Sequence, residues 1–310
     1  MQQTSSPRKD LLGIEHLPRE VINHLLDRSD HYYELLLSEH PIPQNDLLAG
    51  RTVANLFFEN STRTRFSFEL AEQRLGGQHI SFTSQGTSVS KGESLLDTVK
   101  VLEAMKLDAI VVRHSSYGVP GFIAKHVADH VHVINAGDGA HEHPTQALLD
   151  AATMRMIMGT LEKKRVAIIG DIRHSRVARS NIWLLQKYGC DITLIGPDTL
   201  MARHAAEVFG VKVQREMGNI VHEVDMIIAL RVQLERQASA LFPTLEEFTS
   251  MYGLTAARLA GSKAHLLHPG PVNIGVELDF DAVYGEHSVI LRQVKRGVAV
   301  RMAVLEWVFS

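Results

Sequence analysis

Short runs of apolar and β-branched residues alternate along this chain with longer segments whose apolar positions follow the helical period. In the first half, strands are predicted for TVANLFF, HISF, DAIVVR and VHVINA, and helices near residues 61–75, 92–105 and 118–129. In the second half, strands are predicted for RVAIIGD, DITLIGP, VKVQ, DMIIALR and AHLLHPG, again separated by helical segments. Strands that alternate with helices are typical of parallel sheets covered by helices.

The two series of strands and helices meet in the segment HPTQALLDAATMRMIM. Four apolar positions of that segment fall on one face of a predicted helix: Ala147, Ala151, Met154 and Met158. A length of 310 residues fits about two domains of ordinary size. We therefore predict an α/β protein of two domains, each a parallel sheet flanked by helices. One domain would comprise residues 1–146 plus 290–310, and the other residues 147–289.

Composition and charge narrow the class of protein. Hydrophobic residues make up 45% and charged residues 22% of the chain, as in an average globular protein. The net charge of −3 favours neither nucleic acid nor an anionic membrane as a partner. The single cysteine, Cys190, excludes an intrachain disulfide and fits a reducing compartment. The first residues contain no apolar signal segment, and no apolar run approaches the ~18 residues of a membrane span. We therefore expect a cytoplasmic protein.

The stretch FFENSTRTRFSFEL places three hydroxyls and two arginines at a predicted strand-to-helix turn. The first N–H groups of a helix lack intrahelical partners, and with the helix dipole they favour an anion such as phosphate. The hydroxyls of Ser61, Thr62 and Thr64 add donors, and Arg63 adds a planar guanidinium that can engage two phosphate oxygens. The simpler interpretation is that Ser61 only caps the helix and the arginines are solvated.

Further polar residues follow other predicted strands. They are Arg113 after DAIVV, His143 and Gln146 after a glycine-bearing turn, Arg176 near a helix start, Arg231 and Gln233 after MIIAL, and the prolines of HPGP. Ligands of open parallel sheets bind beyond the carboxyl ends of the strands. We therefore predict that these groups face one cleft between the two domains. Taken singly, each arginine could instead be an ordinary cap on strand-end carbonyls.

The motifs STRTR, HPTQ, a late RVQ and HPGP, in this order and spacing, resemble those of the aspartate/ornithine carbamoyltransferase family. The resemblance runs from about Leu11 to the end of the chain. Ornithine-type members carry HCLP and SMG motifs, whereas this chain has HPGP from His268 to Pro271 and an arginine at position 231. The resemblance is therefore to the aspartate branch, whose substrate brings two carboxylates for arginines to bind.

This resemblance implies transfer of the carbamoyl group of carbamoyl phosphate to the amine of L-aspartate, an early step of pyrimidine (UMP) synthesis. The first domain would bind carbamoyl phosphate and the second aspartate. Carbamoyl phosphate would be held by Ser61, Thr62, Arg63, Thr64, Arg113, His143, Gln146 and the main chain at Gly270 and Pro271. The catalytic groups would be Arg63, Thr64, Arg113 and His143. Aspartate would be held by Arg176, Arg231 and Gln233. No metal or cofactor is expected, and the Gly270–Pro271 bond resembles a cis peptide of the family.

The polar segment TSQGTSVSKGESLLDTV resembles a family loop that reaches the active site of a neighbouring subunit. The resemblance implies a homotrimer with shared sites, to which Lys91 contributes an aspartate-binding group and Ser88, rather than Ser90, a phosphate-binding group. Family members also occur with regulatory or dihydroorotase-like chains. A generic surface loop is the plain alternative for such a composition.

Some sequence features are shared with other classes of protein. A nicotinamide dehydrogenase is disfavoured because VAIIGD lacks the second and third glycines of the dinucleotide motif. A metal hydrolase is disfavoured because His141 and His143 are two residues apart beside a proline, unlike the i, i+4 pairs of common zinc sites. An ornithine-type carbamoyltransferase and a non-catalytic carbamoyltransferase-like subunit remain as alternatives.

Overall fold

A computed structural model describes residues 8–37, 45–83, 94–233 and 244–310 of the chain. Ser88, Ser90 and Lys91, which carry the predictions for the shared site, lie outside these residues. The chain divides into two compact units. Unit 1 comprises Met1–Leu148 and Lys295–Ser310, and unit 2 comprises Leu149–Val294.

Unit 1 is built around a four-stranded, fully parallel sheet. Its strands are β1 (Thr52–Phe57), β2 (Gln78–Thr83), β3 (Ala109–His114) and β4 (His132–Asp138), in the order β2-β1-β3-β4. The helices of unit 1 in the described ranges are α1 (Arg19–Leu37), α2 (Thr62–Arg74), α3 (Leu95–Ala104), α4 (Val119–His126), the start of α5 (Pro144–Met158) and most of α12 (Ile290–Phe309). Strands β1, β3 and β4 therefore end side by side at one edge of the sheet.

The core of unit 1 forms where the central strands meet the helices on one face. Ile110 and Val112 of β3 and Val133 of β4 are fully buried there, together with Ile123 of α4. Apolar residues recur without alternation in β1 and β3 because both faces of a parallel sheet are covered. Fully burying side chains of this size stabilises a fold by about 1.5–3 kcal/mol each.

Unit 2 contains a five-stranded parallel sheet. Its strands are β5 (Arg165–Ile169), β6 (Asp191–Ile195), β7 (Lys212–Gln214), β8 (Met226–Ala229) and β9 (His265–Leu267), in the order β7-β6-β5-β8-β9. The helices are α6 (Arg176–Gln186), α7 (Ala205–Phe209), α8 (Ile220–Glu223), α9 (Leu245–Tyr252), α10 (Ala256–Leu259) and α11 (Phe280–Tyr284), with a 3₁₀ turn at Asp198–Leu200. The order turns back at β5, so β5, β8 and β9 end as neighbours.

The core of unit 2 is formed by these strands and the short helices that follow them. Ile227 of β8 and Leu266 of β9 are fully buried against Phe248 of α9 and Leu259 of α10. These helices of four to eight residues are too short to be stable alone, and packing on the sheet stabilises them.

The predicted fold class, two domains that each contain a helix-flanked parallel sheet, is confirmed. Every predicted strand is present, and each ends within three residues of its predicted end. Helix α5 differs from the prediction of one apolar face, since Pro144 to Met154 are all buried. No helix in the described ranges is both long and apolar enough to cross a membrane.

Candidate active site

The Ser-Thr-Arg-Thr-Arg cluster lies at the amino end of α2, directly beyond the carboxyl end of β1. Ser61 occupies the N-cap position, with φ −157° and ψ 84°, and its side chain makes no capping hydrogen bond to the helix. The interpretation of Ser61 as a simple cap is therefore wrong. Ser61 is half-buried, and Thr62 and Arg63 are exposed beside it. The first turn thus presents N–H groups, hydroxyls and a guanidinium to a ligand.

Helices α2 and α6 share an unusual first turn. The first turn of each helix contains an arginine, Arg63 in α2 and Arg176 in α6. Neither first turn contains an acidic residue. The amino end of a helix carries partial positive charge, so an arginine there is electrostatically unfavourable. Arg176 is also only 4% exposed. Positive charge concentrated in this way makes the electrostatic potential at both helix starts favourable for an anion.

Arg113 brings three elements of unit 1 together. From the end of β3, its Nη1 lies 3.4 Å from the hydroxyl of Thr64 on α2 and 3.4 Å from Nε2 of His143, just before α5. The same nitrogen donates to the carbonyl of Ala136 at 3.3 Å. The structure therefore brings together three of the predicted catalytic residues. Their nitrogen and oxygen atoms form a compact cluster of hydrogen-bonding groups at the carboxyl edge of the sheet.

The contact between Arg113 and His143 constrains the imidazole. Nη1 of Arg113 lies 3.4 Å from Nε2 of the ring and thereby restricts the position of the imidazole. His143 is 4% exposed, and Gln146, three residues later on α5, is 7% exposed. Both side chains are thus fixed in protein rather than solvated.

Glu59 is a member of this site that the sequence analysis missed. Its Oε2 lies 3.3 Å from Nε of Arg113, and both side chains are mostly buried. The carboxylate holds the guanidinium from the side opposite Nη1 and partly compensates its charge. Its position in the run FFEN, beside the hydroxyl cluster, was the available signal.

The turn before His143 is fixed by two buried carboxylates. Asp138 accepts hydrogen bonds from the amide of Gly118 at 2.7 Å and from Nδ2 of Asn135 at 2.9 Å. Burial alone would raise the pKa of Asp138, but the hydrogen bonds from His141, Asn135 and Gly118 hold that pKa below its usual value. Asp138 therefore stays ionised and keeps the turn in one conformation.

Glu142 is the second of these carboxylates and directly precedes His143. It is 1% exposed and accepts the backbone N–H groups of Ile14 at 2.9 Å and Glu15 at 3.1 Å. A Cβ at Gly13 would lie 2.5 Å from its Oε1, so only glycine fits there. The amino-terminal segment thus fixes the backbone that presents His143.

In unit 2, the predicted residues follow three neighbouring strands. Arg176 follows β5, Arg231 and Gln233 follow β8, and Gly270 and Pro271 follow β9. Since parallel neighbours end at the same edge, the fold assembles these segments at one end of its second sheet. The peptide bond between Gly270 and Pro271 is cis, as the resemblance implies.

Asp171 ties the segments after β5 and β8 to each other. This fully buried carboxylate accepts a hydrogen bond from the backbone N–H of His174 at 3.2 Å and lies 2.8 Å from Nδ1 of its ring. Its other oxygen lies 3.4 Å from the amide of Gln233, whose side chain donates to the carbonyl of His174 at 3.2 Å. Asp171 and His174 were not predicted, although Asp171 ends the predicted strand run RVAIIGD and His174 lies two residues before Arg176.

No group of three or more His, Cys, Asp or Glu suited to hold a metal occurs among the residues that the structure describes. Within unit 1 the structure brings Thr64, Arg113 and His143 together, with Ser61 to Arg63 on the same helix turn. Within unit 2 it brings Gln233 onto the turn that precedes Arg176. Each unit therefore contains its own cluster of cationic and hydrogen-bonding groups.

Comparison with known families matches both units. Residues 9–156 match the aspartate/ornithine carbamoyltransferase carbamoyl-P binding domain. Residues 162–308 match the aspartate/ornithine carbamoyltransferase Asp/Orn binding domain. Together the two matches span nearly the whole chain.

Solved structures with similar folds include aspartate transcarbamoylases from two organisms. The Trypanosoma cruzi enzyme in complex with carbamoyl aspartate and phosphate is 29% identical, with a TM-score of 0.85 over 98% of this chain and 97% of that chain. The same enzyme in complex with N-(phosphonacetyl)-L-aspartic acid is 30% identical, with a TM-score of 0.85 over 98% and 97%. The M. jannaschii catalytic subunit is 31% identical, with a TM-score of 0.84 over 97% of each chain.

Proposed function

The chain belongs to the aspartate/ornithine carbamoyltransferase family, and we propose that it acts on aspartate. It transfers the carbamoyl group of carbamoyl phosphate to the amine of L-aspartate, giving N-carbamoyl-L-aspartate and phosphate. The observation that carries this proposal is the convergence of Thr64, Arg113 and His143 within 3.4 Å contacts beside the anion-binding turn of α2. The similar structures that hold carbamoyl aspartate or a phosphonacetyl aspartate support it.

Unit 1 binds carbamoyl phosphate in this proposal. The phosphate lies on the amino end of α2, where the Ser61, Thr62 and Thr64 hydroxyls and Arg63 donate to its oxygens. Arg113, Thr64 and His143 surround the carbamoyl oxygen. Gln146 and the main chain at Gly270 and Pro271 hold the carbamoyl nitrogen.

Unit 2 binds aspartate through its two carboxylates. Arg176 and Arg231 each provide a planar cation, and Gln233 provides a neutral donor. Ornithine would bring a side-chain ammonium, which needs acidic partners. The Asp171 carboxylate faces His174 and the amide of Gln233, so both of its oxygens already have partners. This pattern of charge favours the dicarboxylic substrate.

The reaction proceeds by attack of the neutral amine of aspartate on the carbamoyl carbon. A C–N bond forms, the carbonyl electrons move to oxygen, and the resulting oxyanion is stabilised by the donors around Arg113. The electrons then return, the bond from carbon to the phosphate oxygen breaks, and the amine proton passes to the leaving phosphate. No side-chain general base is needed, and orientation of two mutually repelling anions supplies much of the rate increase.

An assay with two acceptors tests the assignment of the substrate. The purified protein is given carbamoyl phosphate with L-aspartate or with L-ornithine, and the carbamoylated product is measured. We expect turnover with aspartate and less than about 1% of that rate with ornithine, since ornithine leaves Arg176 or Arg231 without a carboxylate. The reverse preference would identify an ornithine-type enzyme, and no turnover with either would identify a non-catalytic subunit.

We also propose a homotrimer whose active sites receive Lys91 and Ser88 from a neighbouring subunit. The family resemblance of the loop supports this proposal. Lys91→Ala chains and Arg63→Ala chains would each be inactive as pure trimers. Mixed trimers should regain part of the activity, because some sites then combine an intact Arg63 with an intact Lys91. Mixed trimers that stay inactive would show that no site is shared.

We place the reaction in the cytoplasm, as an early step of pyrimidine synthesis. The low cysteine content supports the compartment, and family membership supports the pathway. Fractionation of the native cells, with activity measured in the cytosolic and membrane fractions, tests the location.

A further inference from the structure

The loop that follows β9 carries the two residues proposed to hold the carbamoyl nitrogen. It runs from His268 to Glu277 without helix or strand, and Gly270 within it adopts a left-handed conformation with φ +68°. A loop without regular structure must satisfy its backbone groups by other means. In this loop, a buried histidine and a buried glutamate do so.

His268 and Glu277 each accept one backbone N–H from the loop. Nδ1 of His268 accepts from the amide of Gly270 at 2.8 Å, and Oε1 of Glu277 accepts from the amide of Asn273 at 2.6 Å. The two side chains also approach each other, with 3.3 Å between His268 Nε2 and Glu277 Oε1. Their exposed fractions are 0% and 3%. The pair thus spans the loop and fixes it on either side of Pro271.

These contacts define the protonation of the ring. Since Nδ1 accepts a hydrogen bond, it carries a lone pair, and the ring hydrogen lies on Nε2, facing the Glu277 carboxylate. Both ring nitrogens of His268 therefore contact groups of the loop. One fixes the amide of Gly270, and the other orients the ring against Glu277, as a carboxylate commonly orients a functional histidine.

A second chain of hydrogen bonds fixes the backbone at the base of the loop. The amide of His268 donates to Oε1 of Gln293 at 3.1 Å. Nε2 of Gln293 donates to Oδ1 of Asp150 at 2.6 Å, and Nδ2 of Asn181 donates to the other oxygen at 2.8 Å. All four residues are at most 2% exposed. Such a buried network is rigid because breaking one bond leaves a polar group unsatisfied.

We infer that His268 and Glu277 are positioning residues for the reaction, which hold the main chain at Gly270 and Pro271 in the one conformation that binds the carbamoyl nitrogen. This inference rests on the proposed function. Neither side chain touches substrate. Both act through the loop backbone, so their effect falls on the donor substrate rather than on aspartate.

Two substitutions of His268 separate the roles of its two ring nitrogens. The amide oxygen of asparagine lies near the place of Nδ1, so His268→Asn keeps an acceptor for Gly270 and loses the contact with Glu277. The amide nitrogen of glutamine lies near the place of Nε2, so His268→Gln keeps the contact with Glu277 and loses the acceptor for Gly270. We expect kcat/KM for carbamoyl phosphate to fall about 100-fold in His268→Gln and about tenfold in His268→Asn, since displacements near 1 Å can cost this much.

Substitution of Glu277 tests whether kcat/KM depends on the hydrogen-bonding geometry of this side chain or on its charge. Glu277→Gln keeps an oxygen that accepts from Asn273 and lies beside Nε2 of His268, and we expect kcat/KM within about threefold of wild type. Glu277→Ala removes the acceptor for Asn273 and the contact with His268, and we expect a loss of about 30-fold. His265→Gln is the matched control, because this histidine lies at the amino end of β9, the strand that leads into the loop. It should retain wild-type kinetics.

A binding measurement separates positioning from a general structural role. Phosphonoacetamide bears a carboxamide nitrogen, whereas inorganic phosphate has none, and both can be titrated without turnover. In wild type, we expect phosphonoacetamide to bind more tightly than phosphate. In His268→Gln and Glu277→Ala, that preference should shrink about tenfold or more while phosphate affinity stays within twofold. Hydrogen exchange at the Gly270 amide should also accelerate in His268→Gln, with the strands of the sheet unchanged.

The outcomes distinguish this inference from the proposed function. If wild type does not carbamoylate aspartate, the proposed function fails. If wild type carbamoylates aspartate and prefers the carboxamide ligand, but the variants keep that preference and the slow exchange of Gly270, the positioning role is overturned. A variant that loses phosphate and phosphonoacetamide binding equally, with rapid exchange across unit 2, would also overturn it, because the pair would then only stabilise the fold.

Discussion

The two units place their candidate ligand groups by different means. In unit 1 those groups stand on regular elements: Thr64 in the first turn of α2, Arg113 in β3, and His143 at the start of α5. In unit 2 most of them stand on irregular segments after the strands. There Asp171 fixes the turn before Arg176 together with Gln233, and the His268–Glu277 pair fixes the proline loop.

This difference indicates which residues of each site tolerate substitution. A helix start or strand end is fixed by the backbone hydrogen bonds of the whole element, so removing one neighbour leaves its side chains in place. An irregular loop has few such bonds, and a buried carboxylate that accepts from its backbone substitutes for them. Unit 1 should therefore be sensitive at the groups that touch substrate and at Asp138 and Glu142, which fix the turn before His143. Unit 2 should be sensitive also at the residues that support its two irregular loops.

The largest expected loss of turnover is that of Arg113→Ala in unit 1. Loss of a donor at the developing oxyanion typically lowers kcat by about 10²–10³-fold. The fold should remain, since β3 is fixed by its ladders with β1 and β4. Steady-state kinetics with both substrates saturating measure the loss. Arg51→Ala is the control, because Arg51 pairs with Asp108 at the opposite end of the sheet. A kcat within twofold of wild type in Arg113→Ala would remove Arg113 from the catalytic groups.

A smaller loss, with a different kinetic signature, is expected for Asp171→Asn in unit 2. Asparagine keeps the shape but replaces one accepting oxygen with a donor, so it can no longer bind both His174 and the amide of Gln233. We expect kcat/KM for aspartate to fall about tenfold and KM for carbamoyl phosphate to change less than twofold. Initial rates with each substrate varied in turn measure both.

The control for Asp171 is Asp225→Asn, which affects the other end of the same strands. Asp225 pairs with Arg165 at the start of β5, 2.9 Å apart, far along the strand from the ligand groups. Its kinetics should stay at wild-type values. Equal losses in the two variants would mean that Asp171 supports the sheet rather than the turn.

The smallest effect on activity is expected for Glu72→Gln, which tests a buried carboxyl that supports no loop. Glu72 lies on α2, is fully buried, and accepts a hydrogen bond from Nδ2 of Asn55 on β1 at 2.8 Å. Burial, opposed by that hydrogen bond and aided by the charge of Glu69, raises its pKa to about 8. Glutamine mimics the protonated acid, so turnover at pH 7 should be unchanged.

The same substitution should alter how stability depends on pH. The folded state keeps the Glu72 proton up to about pH 8, whereas the unfolded chain releases it near its ordinary pKa of 4.5. The free energy of unfolding of wild type therefore falls as pH rises from 4.5 through 8. That of the glutamine variant does not, because glutamine has no proton to lose in this range. We expect the variant to be more stable by about 5 kcal/mol at pH 9 and equal at pH 4, since each unit of pKa shift corresponds to about 1.4 kcal/mol. Denaturant unfolding across this range measures the difference, with exposed Glu34→Gln as control. A constant offset at every pH would contradict the buried protonated state.

Much of the fold followed from local pattern. Apolar runs such as AIVV in β3 and VAII in β5 have the length and composition of strands buried on both faces, and the helical period between them indicates parallel connections. The position of Ser61 to Thr64 at a helix start was also predictable, because the apolar strand run ends just before them and the helical period resumes after them. Helix α5 was predicted less well, since periodicity describes one apolar face and cannot show that polar Thr145 and Asp150 are buried too.

Sequence alone thus determined the order of strands and helices and the Ser-Thr-Arg-Thr-Arg turn at the start of α2, because each depends on residues close together in the chain. Only the tertiary structure decided which distant groups meet: Glu59 with Arg113, Asp171 with Gln233, and His268 with both Glu277 and the network through Gln293 and Asp150. The physical reason is that burial and hydrogen bonding between residues up to 143 positions apart arise from strand order and loop geometry. No local pattern encodes these contacts.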